Sequence, residues 1–471
     1  MNPAPRIPEA SAPLPPPAAR RIRVRRHGQL CLLLGLAFAL GAWLLASARA
    51  AEPWTVLLQL DDLPVANGAP AGWQRWSPRQ EIAPLFAVDK TAGRDGRAAL
   101  RLESPGPAAF GAWRARLEGV AGGQRYRFAA WYQAAGVPNE RRSVIARLEW
   151  LDRQGRAARM PDYALDVRKE PSGWTRVEYV SASPTNAAAL DLQLALGFAP
   201  AGAVVRWCGL ELKPLAAPPR DRVVRAMTVH HRPRNSAGPA QSVESFCRLA
   251  EGAAALKPDL LCLPEGITVV GTSLSYAEVS EPVPGPTTAR LGETARKLNS
   301  YVVAGLYERE GTLVYNTAVL LDRTGRLAGR YRKTHLPREE WERGITPGDA
   351  YPVFDTEFGR VGLMICWDVQ FPEPARALAA QGAEILLLPI WGGSDVLARA
   401  RSIENCVFLV SSSYDMRSFI VDPAGRVLAE ATVETPVVCA ELFLDRPILQ
   451  PWLGDMKTRT WKERRPDLRI P

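Results

Sequence analysis

The chain has 471 residues, too many for one ordinary domain and suited to two plus a leader. Apolar residues at 47% with 23% charged exclude disorder of the whole. The formal charge of +10 is no nucleic-acid signature, because six arginines before Gly28 (Arg6, Arg20, Arg21, Arg23, Arg25 and Arg26), opposed by Glu9 alone, supply half of it.

That basic segment runs into "LCLLLGLAFALGAWLLASARA", apolar from Leu30 to Ala46 and ending in Ala48-Arg49-Ala50. A basic flank, an apolar stretch and a small-x-small end predict a signal peptide over residues 1–50, cut before Ala51. The alternative is an uncleaved membrane anchor formed by residues 30–46. Either reading places the rest of the chain outside the cytoplasm, in the periplasm or secreted. Disulfides are permitted there. Yet Cys208, Cys247, Cys262, Cys366, Cys406 and Cys439 are spaced widely, with no C-x-x-C pair, and most sit in apolar strand-like contexts. Those read as core cysteines. With four histidines in all, a histidine-rich metal centre is not indicated.

Residues 53–218 alternate apolar and polar side chains in "QRYRFAAWYQAA", "SVIARLEWLD", "WTRVEYVSAS", "AALDLQLALGF" and "GAVVRWCGLELKPL". Short strands at regular spacing predict an all-β jelly-roll-like sandwich, similar in pattern to carbohydrate-binding modules. Eight of the fourteen tryptophans fall here (Trp54, Trp73, Trp76, Trp113, Trp131, Trp150, Trp174 and Trp207). Exposed indoles could stack on a glycan, whereas Trp131 and Trp150, inside alternating runs, are expected in the core. "PLAAPPRDR" then reads as a linker.

From Arg222 the texture changes. "RVVRAMTVHH" predicts a strand, "AQSVESFCRLAEGAAAL" a helix and "PDLLCLPEG" a buried strand. "TTARLGETARKLNSYVVAGLYE" repeats helix then strand, and "VYNTAVLLDRTGRLAGRYRKTHL" is a hairpin turning at Asp322–Gly325. "GRVGLMICWDVQFPEPARALAAQGAEILLLP" ends one buried run at Cys366-Trp367-Asp368 and leads through a helix into another. "LARARSIENCVFLVSSS" is again helix into strand, and "SFIVDPAGRVLAEA" a last hairpin. Helix–strand alternation of this kind predicts an α/β domain over residues 222–446, followed by a tail at 447–471.

Three strand ends in that domain carry titratable groups: Glu265 after "LLCLP", Lys333 after "GRLAGRYR" and Cys366 after "RVGLMI". Functional groups of open α/β sheets gather beyond the carboxyl ends of strands. An unperturbed cysteine is mostly thiol at neutral pH and attacks only with help. Glu265 could take its proton and later activate water, Lys333 could stabilise an oxyanion, and the Trp367 N–H could be a second donor. Alone, Cys366 would read as a small apolar filler; beside the other two it reads as a nucleophile.

"CLPEG", "YRKTHLP" and "GLMICWDVQFPEPAR" together resemble the nitrilase superfamily of carbon–nitrogen hydrolases, over about Arg222 to Arg446. The resemblance implies an α-β-β-α sandwich that pairs into homodimers or larger homo-oligomers. It implies a Glu265–Lys333–Cys366 triad forming a thioester acyl-enzyme on a small amide or carbamoyl substrate, without metal or cofactor. It also implies a second, substrate-orienting glutamate; among Glu339, Glu340 and Glu342 the spacing does not choose, with Glu340 favoured and Glu342 next. The "CWD" triplet is more like the amidase and carbamoylase branches than the true nitrilases. His335 is expected to line the pocket or hold structure, Asp368 to cap the following helix, Glu404 and Asn405 to support the site, and Arg399 and Arg401 to face solvent. Trp391 with Gly392-Gly393 could line the pocket. The expected activity is hydrolysis of a linear amide or N-carbamoyl bond. The alternatives are an N-acyltransferase using the same acyl-enzyme, or an inert cell-envelope glycan-binding protein.

Overall fold

The computed structural model describes residues 56–465 apart from 59, 62, 217–220 and 451, so the expected leader and Trp54 lie outside the described residues. The chain divides into two compact units, with the boundary between Ala217 and Pro218.

In the first unit the alternating runs form two antiparallel sheets. One orders Leu165–Lys169, Trp174–Ala182, Arg125–Ala135, Val204–Pro214, Ala99–Glu103 and Leu85–Asp89, with Val56–Leu58 also paired to Val204–Pro214. The other orders Asp162–Tyr163, Val144–Leu151, Ala189–Gly197, Phe110–Glu118 and Trp73–Trp76. Period-two alternation explains the packing: Tyr126, Phe128 and Tyr132 of one strand point inward and meet Trp113, Trp150 and Leu192 of the other sheet. Trp73, Trp113, Trp150, Trp174 and Trp207 are buried, and Trp76 and Trp131 half-buried. The indole of Trp150 donates to buried Asp162 at 3.0 Å, and that of Trp113 to the Arg101 carbonyl at 3.0 Å. Five of these indoles build the core, while Trp76 and Trp131 keep partial exposure with the Arg114 and Arg94 guanidinium groups 5.3 and 4.4 Å from their ring centroids.

The second unit contains two six-stranded sheets. The first orders β5 (Leu327–Arg332), β4 (Leu313–Leu321), β3 (Tyr301–Glu310), β2 (Leu260–Cys262), β1 (Val223–Val229) and β12 (Val437–Phe443); β1, β2 and β3 are mutually parallel. The second orders β6 (Val353–Thr356), β7 (Gly359–Leu363), β8 (Ile385–Pro389), β9 (Phe408–Ser412), β10 (Ser418–Val421) and β11 (Val427–Ala431), with β7, β8 and β9 parallel. The apolar strands are buried on both faces. Ala226, Leu260 and Val303 share a core with Leu363, Ile385, Leu387 and Val410 of the facing sheet. Their neighbours Met227, Leu261 and Val302 pack outward on Phe246 and Leu291 of α1 (Pro239–Gly252) and α2 (Pro286–Leu298). Leu386 and Leu409 pack outward on Leu378 and Ala398 of α4 (Pro372–Ala380) and α5 (Asp395–Asn405). The layers therefore run α-β-β-α.

Helix chemistry follows the same logic. In α1, Val243, Phe246, Cys247 and Ala250 make one apolar stripe behind a proline in the first turn. Helix α5 starts at Ser394, whose hydroxyl accepts from the Leu397 N–H at 3.3 Å, and ends at Cys406 in the left-handed region. Residues after 446, expected as a tail, include the helix α6 (Met456–Glu463), tied to this unit by Lys457 Nζ on Glu384 at 3.2 Å. The six described cysteines are all free.

Candidate active site

The rim formed by the carboxyl ends of β2, β5, β7 and β8 gathers Glu265, Lys333, Cys366 and Trp391. Glu265 follows β2 on a tight path. A side chain at Gly305 on β3 would place its Cβ 2.7 Å from the Glu265 Cα, so glycine there lets the turn lie on the strand. Lys333 leaves β5, its N–H donating to the Asn316 carbonyl of β4 at 2.9 Å. Cys366 begins a 3-10 turn, Cys366–Gln370, with a φ of 43°, a left-handed conformation that costs a non-glycine residue about 1–2 kcal/mol. Glu340 comes from α3 (Arg338–Glu342), whose first turn aims it inward while Trp341 stays exposed.

Lys333 Nζ donates to Glu265 Oε1 at 3.0 Å and to Glu340 at 3.0 Å. The Asn316 amide nitrogen donates to the same two carboxylates, at 2.6 Å to Glu265 and 2.7 Å to Glu340. The other Glu265 oxygen accepts from the Trp391 N–H at 3.0 Å, and the Tyr414 hydroxyl donates to the Glu265 carbonyl at 2.7 Å. The Cys366 thiol hydrogen-bonds the Gly392 carbonyl at 3.9 Å, and Glu265, Lys333 and the Trp391 N–H all lie near enough to act on its charge. Glu265, Lys333 and Glu340 are 3%, 1% and 4% exposed, whereas Cys366 is half-buried. Cys366 is thus the one residue of the four that keeps some solvent exposure.

Burial sets the electrostatics. It pushes the Cys366 thiol well above its ordinary value, and the Glu265 charge adds to that, against Lys333 and the Trp391 N–H. Burial pulls the Lys333 ammonium down, but Glu265, Cys366 and Glu340 outweigh it and hold the group charged. Glu340 is pushed up to about 6, by burial first and by Glu265 next, with Lys333 opposing. A thiol that resists ionisation therefore sits beside a carboxylate that can accept its proton and a cation that can face a developing oxyanion.

Glu342, the next candidate for the second glutamate, points outward and pairs with Arg338 at 2.5 Å, outside the set. Glu339 is exposed as well. The ring of Trp391 packs edge-on against Tyr414, with centroids 4.8 Å apart, and Trp367 is 40% exposed beside Cys366. Its N–H lies in the first turn of the 3-10 segment, where amides lack intrahelical acceptors.

Several supporting residues carry no such signal in the sequence. Asp368, expected as a helix cap, is fully buried and accepts from the Ile365 N–H at 2.9 Å, Tyr331 Oη at 2.7 Å, Thr334 Oγ1 at 3.2 Å and the His335 N–H at 3.1 Å. It fastens the Lys333 loop to the Cys366 turn. His335 stacks on Phe371 with centroids 4.4 Å apart. Arg401, expected to face solvent, is 6% exposed and donates to the Val369 carbonyl at 3.1 Å and the Gln370 carbonyl at 3.3 Å, bracing the same turn from α5. Asn316 lies within the apolar run "VYNTAVLL", which signals only a strand. Among the described residues no three His, Cys, Asp or Glu side chains are grouped as a metal ion would require.

Comparison with known proteins places this rim in a family. The sequence model of the family described as Carbon-nitrogen hydrolase matches residues 228–447, which contain all of these side chains. The chain is 30% identical to Omega-amidase NIT2-A of Xenopus laevis over 234 residues, 44% of this chain and 84% of that protein. It is 29% identical to Omega-amidase NIT2 of Homo sapiens over 233 residues, covering the same shares. Among solved structures, an amidase from Nesterenkonia sp. matches with 26% identity and a TM-score of 0.45, over 54% of this chain and 97% of that one. On the family match and the omega-amidase relatives, the chain belongs to the carbon–nitrogen hydrolases of the nitrilase superfamily.

Proposed function

We propose that this protein is an exported amidase-type hydrolase that cleaves a small linear amide or N-carbamoyl bond through an acyl-thioester on Cys366. The observation that carries the reading is the convergence at one rim of a half-buried thiol held against the Gly392 carbonyl, beside Trp391, and of Glu265, which accepts from the Trp391 N–H and is bridged by Lys333 to Glu340. Its omega-amidase relatives support the amidase type. Export rests on the basic and apolar leader.

Glu265 takes the thiol proton as sulfur adds to the carbonyl carbon, and Lys333 with the Trp367 N–H stabilises the oxyanion. The proton passes from Glu265 to the leaving nitrogen, the carbon–nitrogen bond breaks, and ammonia or an amine departs. Water then gives its proton to Glu265 and attacks the thioester; the acid leaves and the thiol is restored. Glu340 orients the substrate nitrogen. Because Lys333 stays charged throughout, it acts by its field and not as an acid.

The test incubates the protein and its Cys366→Ala variant with a panel of linear amides and N-carbamoyl compounds. Ammonia release by the wild type alone supports the reading, and release by both removes Cys366 as nucleophile. Adding amines separates hydrolysis from acyl transfer: an N-acyl product at the expense of free acid would assign a transferase.

A further inference from the structure

Asn316 is fully buried on β4, opposite Tyr307 of β3. Its amide nitrogen has two hydrogens, and both go to carboxylates, one to Glu265 Oε1 and one to Glu340 Oε1. Lys333 Nζ donates to those same two oxygens. Two donors thus bracket two acceptors, and Asn316 is the neutral one. Reversing the amide would set its carbonyl oxygen against both carboxylates, so the neighbours fix its orientation. In the orientation present the Oδ1 atom is buried with no hydrogen-bond partner, so the amide forgoes one bond to keep both donors on the acids.

We infer that Asn316 is a positioning residue for the reaction: its amide holds Glu265 and Glu340 as an ionised pair around Lys333 and keeps the second Glu265 oxygen clear of them, on the Trp391 N–H at the Cys366 side of the rim. The inference rests on the proposed roles of Cys366 and Glu265. One cation cannot satisfy two buried carboxylates alone, and a like-charged neighbour favours protonation of one of them. A neutral double donor relieves this without adding a proton that could be lost. The other titratable groups facing the pair are Lys333 from the end of β5, Cys366 from the end of β7, Tyr307 from β3 and Tyr414 after β9; burial holds both tyrosines neutral. Glu308, beside Thr317, is already matched by Arg330 and Arg332.

The test is the pH dependence of Cys366 alkylation by iodoacetamide, site-resolved by peptide mass spectrometry on the full chain, and it needs no knowledge of the substrate. Wild type is compared with Asn316→Ala, which removes both donors, Asn316→Asp, which keeps the shape and adds a charge, and Asn316→Thr, which keeps one donor. The acidic limb should move up by about one pH unit or more in the alanine variant, further in the aspartate variant and less in the threonine variant. An unmoved limb in all three, with only a lower plateau or a lower melting temperature, would make Asn316 a packing residue and overturn the inference. Should wild-type Cys366 react no faster than half-buried Cys406, the nucleophile assignment itself fails, a result distinct from an unmoved limb.

Discussion

Cys366 combines a left-handed backbone, partial access to solvent and a thiol that burial keeps protonated. A free thiolate is scarce at neutral pH, so reactivity should depend on Glu265 as proton acceptor. Glu265→Gln should slow amide hydrolysis by about 10²–10⁴-fold, and alkylation of Cys366 at neutral pH should slow with it. An alkylation rate unchanged by that substitution would mean the thiol ionises without the carboxylate. Glu340 supplies the pH signature. Its folded value of about 6 lies above the usual carboxylate range, so on acidification it takes a proton earlier than an exposed glutamate would. kcat/KM should fall as pH drops through about 6, and Glu340→Gln should lower activity throughout while removing that step. The three strand-end residues are legible in the sequence because a titratable group directly after an apolar run is conspicuous. Asn316 is not, since one polar residue inside a strand announces nothing about the carboxylates it reaches 51 and 24 positions away.

At the scale of elements, the site depends on two braces. Asp368 links the loop after β5 to the turn after β7, and Arg401 ties α5 to the end of that turn. Replacing Asp368 by alanine leaves several buried donors without an acceptor, each worth roughly 1–3 kcal/mol. The expected result is a loss of stability of about 2–4 kcal/mol in denaturant titration and a fall in kcat larger than any change in KM. Arg401→Met, which retains the aliphatic stem, should lower kcat with a smaller loss of stability; an unaffected kcat would show that the turn holds itself. Elements themselves read well where periodicity is long, as in α1, α2 and the hairpins at Asp322–Gly325 and around Pro423–Gly425. Strand β6 gives no clear signal because it is four residues long and incompletely buried. Arg401 departs from expectation for a different reason: helical spacing shows which face a residue occupies but not that a loop from another strand covers it.

For the molecule as a whole, each unit is held by a core that joins two sheets. Leu387 is fully buried between the facing sheets of the second unit and has no part in the proposed chemistry, and Leu387→Ala should cost about 2–5 kcal/mol with KM unchanged in the folded fraction. The layer order is legible because apolar strands buried on both faces require cover on both sides. The fate of the tryptophans in the sandwich is not, since alternation marks an inward strand face but leaves open which indoles remain accessible. The central claim, a thioester on Cys366, is tested most directly by mixing the protein with an amide it hydrolyses, quenching in acid within one turnover and measuring peptide masses. The expected result is a mass increment equal to the acyl group, carried by the peptide containing Cys366 and absent from Glu265→Gln on the same timescale. Ammonia released with no acyl increment on Cys366, or with the increment on another residue, would contradict it.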